Sequence, residues 1–123
     1  MMKLGNLAQD RWIEGDGDGK ALRSAVTGEP ITNITSDGLD FGAMLRHARN
    51  TGGTNLRKMT FHERGDMLKA LAQYLMEQKK EFYALSAETG ATRADSWIDI
   101  DGGISTLFVF SSKARREMPN DHV

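Results

Sequence analysis

The periodicity of the apolar residues changes near residue 37, and this change restricts the possible folds more than any other feature of the sequence. Before it, short β-type stretches at about residues 7–14, 21–26 and 31–35 are separated by turns. After it, apolar residues recur with the period of about 3.6 residues that amphipathic helices show. The sequence therefore predicts an α+β fold. Short antiparallel strands in residues 1–36 precede three helices in residues 37–123, so the chain is mostly helical.

The first helical pattern covers residues 39–50. Ser36 or Asp37 is expected to cap its start, and Gly52-Gly53 is expected to stop it. Its apolar residues follow the i, i+3, i+4, i+7 spacing of one helix face, which consists of Phe41, Met44, Leu45 and Ala48.

The second pattern has the clearest start, because Thr60 and Glu63 form a T-x-x-E capping box. The helix is expected to kink near Lys79-Lys80 and to continue to Thr89, with Gly90 as the residue just past its end. One face is apolar and contains Leu68, Leu71, Ala72 and Leu75.

The third pattern begins at Thr92, with Asp95 as a second possible capping partner, and Pro119 ends it. Gly102-Gly103 interrupts it at a cost of roughly 2 kcal/mol relative to two alanines. We expect close backbone packing against another element to be the reason for this pair. One side of the helix carries Trp97, Ile100, Ile104, Leu107, Phe108 and Ser111.

A glycine- and aspartate-rich run at residues 15–19, followed by Lys20, is open to three interpretations. A calcium loop would require an oxygen ligand where Lys20 stands, glycine at Ala21 and an acid at Thr27, and none of these is present. A phosphate loop would require a helix to begin directly after the run, whereas a strand is expected there. A plain turn between strands is the preferred interpretation.

Other polar residues do not form a convincing catalytic or metal pattern. His47, His62 and His122 lack the spacing that puts two ligands on one helix face. Asp95 and Asp99 are an i, i+4 pair that could form an acid/base dyad, but a solvated acidic face is the preferred interpretation. We predict no catalytic, cofactor-binding or metal-binding residue. Three further carboxylates, Glu81, Glu88 and Asp101, receive the same interpretation as part of a solvated acidic face.

Composition excludes several classes of function. The chain contains no cysteine, which removes disulfides, thiolate metal sites and cysteine nucleophiles. Its formal net charge of -1 gives no attraction to nucleic acid or to anionic membranes. No apolar run approaches the roughly 20 residues that span a bilayer. No secretory pattern is found at the N-terminus, so a cytoplasmic location is expected.

Several motifs, in the same order along the chain, resemble the N-terminal region of the aldehyde dehydrogenase superfamily. Residues 11–15 (RWIEG) resemble its opening W-x-x-G turn, and residues 27–31 (TGEPI) its T-G-E turn. Residues 61–68 (FHERGDML) resemble its F-x-E-R-x-x-x-L helix start. Residues 82–108, which contain Glu88-Thr89-Gly90, resemble a helix ending in E-T-G followed by a long helix with an acidic-Gly pair.

Within this superfamily the chain is most similar to the phenylacetate-degradation branch, through residues 36–40, 56–61 and 92–107. The resemblance implies a parent enzyme that oxidises a ring-opened CoA semialdehyde with NADP (or NAD). Such enzymes use a cysteine thiolate as nucleophile and pass hydride to the nicotinamide. In the family, the cysteine, the general-base glutamate, the oxyanion-hole asparagine and the cofactor-binding segments lie beyond the region matched here.

The resemblance therefore implies a partial aldehyde dehydrogenase domain that serves as a scaffold and has no activity by itself. We expect it to be a fragment whose partner is the remainder of the enzyme, or a second copy through self-association. No nucleic acid, membrane or cofactor is expected to bind this chain alone. The alternative is a stand-alone helical module for self-association or partner binding.

Overall fold

The computed structural model describes residues 2–122 and confirms the predicted α+β fold, with short antiparallel strands followed by helices. The chain divides into two compact units, Met1–Thr54 and Asn55–Val123. The prediction that residues 1–36 and 37–123 together form one partial domain stays a prediction. Across the described residues, no helix combines the length and the apolar character needed to cross a membrane.

The first two strands form a hairpin rather than the single strand predicted for residues 7–14. Strand β1 (Asn6–Ala8) pairs antiparallel with β2 (Arg11–Ile13). Between them Gln9 and Asp10 have φ values of 53° and 62°. Positive φ at both central residues is the conformation of a two-residue type I′ turn. The prediction failed here because this turn contains no glycine.

The second hairpin pairs β3 (Lys20–Arg23) with β4 (Pro30–Ile34), also antiparallel. Strands β3 and β4 confirm the strands predicted near residues 21–26 and 31–35, and their bounds differ from the predicted ones by one to three residues. Strand β3 stops early because Ser24 starts the turn: its N–H donates to Glu29 O at 2.9 Å, and its carbonyl accepts from Gly28 N at 2.9 Å.

The first helical region differs from its prediction at both ends. Helix α1 spans Phe41–His47, and its cap is Asp40, whose Oδ1 accepts from Ala43 N at 2.8 Å, rather than Ser36 or Asp37. Helical residues continue as a π-helical segment, Ala48–Gly53, and as α2 (Thr54–Arg57). Gly52-Gly53 therefore does not end the helix, because a helical glycine costs only about 1 kcal/mol relative to alanine.

The second pattern forms α3 (Phe61–Glu77) and α4 (Lys79–Ala87), separated at Gln78. The capping box is confirmed, with Glu63 N donating to Thr60 Oγ1 at 3.2 Å and Thr60 N donating to Glu63 Oε2 at 2.7 Å. Gly90, with a φ of 80°, follows the helix end as predicted, and its N–H donates to Ala87 O at 3.1 Å.

The third pattern forms α5 (Arg93–Ser96), a π-helical segment (Trp97–Asp101) and α6 (Gly102–Glu117). The Thr92–Asp95 capping box is confirmed. Trp97 was expected on the same side as Ile104, yet it is 61% exposed, and Ser96 is buried in its place. The π-helical turns explain the difference, because they hold more residues per turn than the α-helix and so shift the phase of residues before them.

Helices α3 and α6 pack against each other through small residues. Gly65 and Ala72 are the buried residues of α3, and Ile104 and Ser111 those of α6. A Cβ on Gly65 would lie 3.0 Å from Ala114 Cβ and 3.1 Å from Ser111 O. By contrast, a Cβ on either glycine of Gly102-Gly103 would meet nothing within 4 Å. The prediction of close backbone packing at Gly102-Gly103 is therefore wrong, and close packing is found at Gly65 instead.

Candidate functional site

A polar cluster in the second unit joins α4 to the end of the second π-helical segment. Lys79 Nζ donates to Asp101 Oδ1, and Tyr83 Oη donates to Asp101 Oδ2 at 2.5 Å. Lys79 and Tyr83 are four residues apart on α4, so their side chains lie on one face of that helix. The Asp101 side chain is only 15% exposed, and the Lys79 side chain is 35% exposed.

The pKa values of Asp101 and Tyr83 are shifted in opposite directions by their hydrogen bond. The pKa of Asp101 is lowered, chiefly by its hydrogen bond from Lys79 and next by that from Tyr83. The pKa of Tyr83 is raised, chiefly because its hydroxyl donates to the Asp101 carboxylate, with desolvation and the charge of Asp101 acting in the same direction. The nearby Arg93 opposes this rise in the pKa of Tyr83.

These pKa directions determine what the cluster can do. A general acid or base works best when its pKa lies near the working pH. Asp101 stays ionised and Tyr83 stays protonated at neutral pH, so neither group exchanges a proton readily there. The arrangement is therefore suited to holding α4 against the π-helical segment rather than to proton transfer.

An open groove of about 670 Å³ lies beside the cluster, and Lys80 and Arg93 line it together with Lys79 and Tyr83. The Arg93 guanidinium carbon lies 5.3 Å from the centroid of the Tyr83 ring, within cation–π range. Two of the three cations are thus already occupied, Lys79 by Asp101 and Arg93 by the ring. The groove is therefore a surface whose cations are mostly paired within the chain, rather than a preformed anion site.

The histidines considered in the sequence have separate local partners. His47 Nε2 lies 3.2 Å from Asp10 Oδ2, and His62 Nε2 lies 3.1 Å from Met118 O. The backbone N–H of His122 donates to Asp121 Oδ1 at 2.7 Å. Among residues 2–122, no group of three or more histidine, cysteine or acidic side chains is placed to hold a metal ion.

Of the acidic pair Asp95 and Asp99, Asp95 belongs to the capping box of α5. Asp95 Oδ2 accepts from Thr92 Oγ1 at 2.6 Å, and this hydrogen bond is the main cause of the lowered pKa of Asp95.

Residues 15–19 lie between β2 and β3, as expected for a turn. Lys3 Nζ donates to the carbonyls of Gly15 and Gly17, each at 2.9 Å.

The Lys79–Tyr83–Asp101 cluster was missed at the sequence level. In the sequence, Lys79 marks only the expected kink of the second helix, and Asp101 is only one of several acids. The i, i+4 spacing of Lys79 and Tyr83 was the available signal. The partner 18 residues beyond Tyr83 could not be inferred from periodicity, because the π-helical segment sets its direction.

Comparison with known proteins gives two results. The model of the aldehyde dehydrogenase family matches residues 12–123. A 3,4-dehydroadipyl-CoA semialdehyde dehydrogenase from Aromatoleum evansii is 41% identical over 107 residues, which cover 86% of this chain and 21% of that protein. The chain therefore spans about a fifth of the length of this curated relative. Because the family match covers most of the sequence, the chain belongs to the aldehyde dehydrogenase family, as its motifs predicted.

Proposed function

We propose that this chain is the N-terminal scaffold of an NAD(P)-dependent aldehyde dehydrogenase and has no dehydrogenase activity by itself. The observation that carries the proposal is the family match over residues 12–123 in a chain without cysteine. The chemistry of such enzymes requires a thiolate nucleophile. The acids of the described cluster have pKa values displaced away from neutrality, which is consistent with a structural role for it.

We infer that the parent enzyme oxidises a ring-opened CoA semialdehyde. Enzymes of the family generally use NAD(P), and the relative from Aromatoleum evansii is named for a CoA semialdehyde. Residues 36–40, 56–61 and 92–107 resemble the phenylacetate-degradation branch, and this resemblance implies that pathway and NADP. A cytoplasmic location belongs to the same proposal.

The proposed partner of the chain is the remainder of a dehydrogenase of this family. Several large apolar side chains in the second unit are left uncovered, among them Trp97, Ile98 and Phe110, with exposures of 61%, 62% and 58%. Large contiguous apolar surfaces are typical of sites that a partner covers, and the adjacent Trp97 and Ile98 are the proposed centre of such a surface. The relative is about five times as long as its matched segment, so most of its length has no counterpart here to supply that cover.

Two measurements test the absence of activity. The chain is incubated with NADP or NAD and a CoA semialdehyde, and reduced cofactor is followed by absorbance. We expect no production above the protein-free rate, and calorimetry is expected to give no NADP binding in the micromolar range. Turnover, or micromolar binding, would overturn the scaffold proposal.

A mixing experiment tests the partner. The chain is combined with a separately produced remainder of the Aromatoleum evansii dehydrogenase, and mass is measured by light scattering. We expect a mixed complex that Trp97→Ser and Ile98→Ser weaken and that Val26→Ser, at an exposed turn of the other unit, leaves intact. A homo-oligomer weakened by the same substitutions, with no mixed complex, would favour the self-association module instead.

A further inference from the structure

Aspartate is followed by glycine at four places in this chain, at residues 16, 18, 37 and 101. The Asp-Gly sequence is chemically labile, because the backbone nitrogen of the glycine can attack the side-chain carboxyl carbon without obstruction by a Cβ. The reaction requires a free carboxyl group and a free glycine N–H, and it requires backbone that can bring them together. The structure supplies these conditions very unequally at the four positions.

At Asp101 the carboxyl group, the glycine N–H and the backbone conformation all disfavour the reaction. Both carboxylate oxygens accept hydrogen bonds, from Lys79 and from Tyr83. Asp101 has helical φ and ψ of -68° and -39°, and the N–H of Gly102 donates to carbonyls of the preceding turn. Ring closure there would require local unfolding of the helix.

Asp37 and Asp16 are held in part, through hydrogen bonds of their main chains, although among residues 2–122 neither carboxylate accepts a hydrogen bond. Asp16 N donates to Asp37 O at 2.8 Å, and Asp37 N donates to Thr35 Oγ1 at 3.1 Å. The Asp16 carboxylate also lies against Gly38, where an added Cβ would be 2.3 Å from Asp16 Oδ2. This carboxylate would have to leave Gly38 before it could close a ring on Gly17.

Asp18 has the fewest restraints. It is exposed, and within residues 2–122 its carboxylate has no hydrogen-bond or ion-pair partner. The N–H of Gly19 likewise donates to no acceptor in that part of the chain. The one hydrogen bond at Asp18 among these residues is accepted by its carbonyl, from Asn33 Nδ2 at 3.0 Å, and it leaves the carboxylate and the Gly19 N–H without a hydrogen bond.

We propose that Asp18-Gly19 is a site of spontaneous isoaspartate formation in this protein. The Gly19 nitrogen bonds to Asp18 Cγ, and the Cγ hydroxyl leaves as water with the amide proton, which gives a succinimide. Water then adds to one of the two ring carbonyls. Attack at Cγ restores aspartate, and attack at the main-chain carbonyl breaks its bond to nitrogen and leaves the chain running through Cγ.

The product places one extra carbon in the main chain directly before β3 (Lys20–Arg23). Gly19 already approaches β4 closely, since a Cβ there would lie 2.6 Å from Ile34 O. An added backbone atom at this point therefore displaces the start of the β3–β4 ladder, at the pair formed by Lys20 and Ile34.

The test is prolonged incubation of the full chain at neutral pH and physiological temperature, followed by proteolysis and mass spectrometry that distinguishes isoaspartate at each position. We expect more isoaspartate at residue 18 than at 16 or 37, and on the order of tenfold more than at 101. In denaturant the four positions are expected to react at similar rates, because the restraints are lost. Asp18→Glu, which would need a larger ring, is expected to remove the product at 18 without disturbing the turn. Equal yields at 18 and 101 in the folded chain, or a yield at 18 that rises on unfolding as steeply as that at 101, would overturn the proposal.

Discussion

Substituting alanine for Gly65 tests the close approach of α3 and α6, because Gly65 lies at their contact. The new Cβ would be 3.0 Å from Ala114 Cβ and 3.1 Å from Ser111 O. Carbon atoms prefer separations of about 3.5–4.0 Å, so the helices must separate by roughly 0.5–1 Å. Overpacking of this kind costs about 1–3 kcal/mol, against a gain of about 1 kcal/mol in helix propensity. The net expectation is destabilisation by about 0–2 kcal/mol.

The matched control is Gly103→Ala, the same chemical change at the second residue of α6, inside the continuous helical run that begins at Arg93. A Cβ at Gly103 meets nothing within 4 Å, so only the propensity gain of about 1 kcal/mol is expected. Propensity cancels when the two variants are compared, and the packing cost of about 1–3 kcal/mol remains as their difference. Urea unfolding followed by far-ultraviolet circular dichroism measures both variants.

A double-mutant cycle with Ala114→Gly locates the clash. Removing the Ala114 methyl eliminates the 3.0 Å contact and leaves the 3.1 Å contact with Ser111 O. The double variant should therefore recover part of the packing cost, which appears as a coupling energy between the two sites. If Gly65→Ala is as stable as Gly103→Ala, or if the coupling is zero, the helices do not approach as closely as the structure indicates.

Three further predictions concern the polar cluster and the helix caps. Asp101→Asn should lower the pKa of Tyr83 toward its ordinary value, because the hydroxyl loses its carboxylate acceptor. The pKa is read from phenolate absorbance in a Tyr74→Phe background, in which Tyr83 is the one tyrosine left. An unchanged pKa would contradict the hydrogen bond. Because the pKa of Asp101 is lower in the folded state, the unfolded state binds more protons below about pH 4, so stability falls there as pH decreases. Asp101→Asn should make this acid limb shallower, with Asp95 left to supply part of it, and an identical limb would refute the assignment. Thr60→Ala should cost about 1 kcal/mol in urea unfolding through loss of the α3 cap, whereas Thr60→Ser should cost much less.

Local chemistry explains which parts of this fold were predictable from the sequence. Both capping boxes were found, because Thr60 with Glu63 and Thr92 with Asp95 satisfy a short and specific spacing. The β1–β2 turn was missed, because Gln9 and Asp10 take positive φ without a glycine. The phase of the third helix was misjudged by one residue at Ser96, since the π-helical segment depends on contacts that periodicity does not report.

The glycines also show that tertiary contacts cannot be inferred from the sequence alone. Sequence alone indicates that a helical glycine has a cost, and the adjacent pair Gly102-Gly103 carries the larger apparent cost. Only the three-dimensional contact shows that Gly65 has a packing reason and that the pair has open space around it. The polar cluster was hidden for a related reason, because Asp101 and Lys79 are joined by tertiary packing rather than by sequence spacing.

The small residues between α3 and α6 also bear on the proposed scaffold role. The buried apolar residues of the described chain are Ala8, Ala72 and Ile104, so large side chains contribute little fully buried area. Close approach at Gly65 brings the two helices together, while several of their larger residues, such as Leu71 and Phe110, stay exposed. Burial of apolar area is the main source of folding stability, at about 25 cal/mol per Å². A partner that covers Trp97, Ile98 and Phe110 should therefore stabilise the second unit as it binds. Thermal unfolding of the chain should accordingly shift upward when the remainder of the relative is added, and it should shift less for the Trp97→Ser variant.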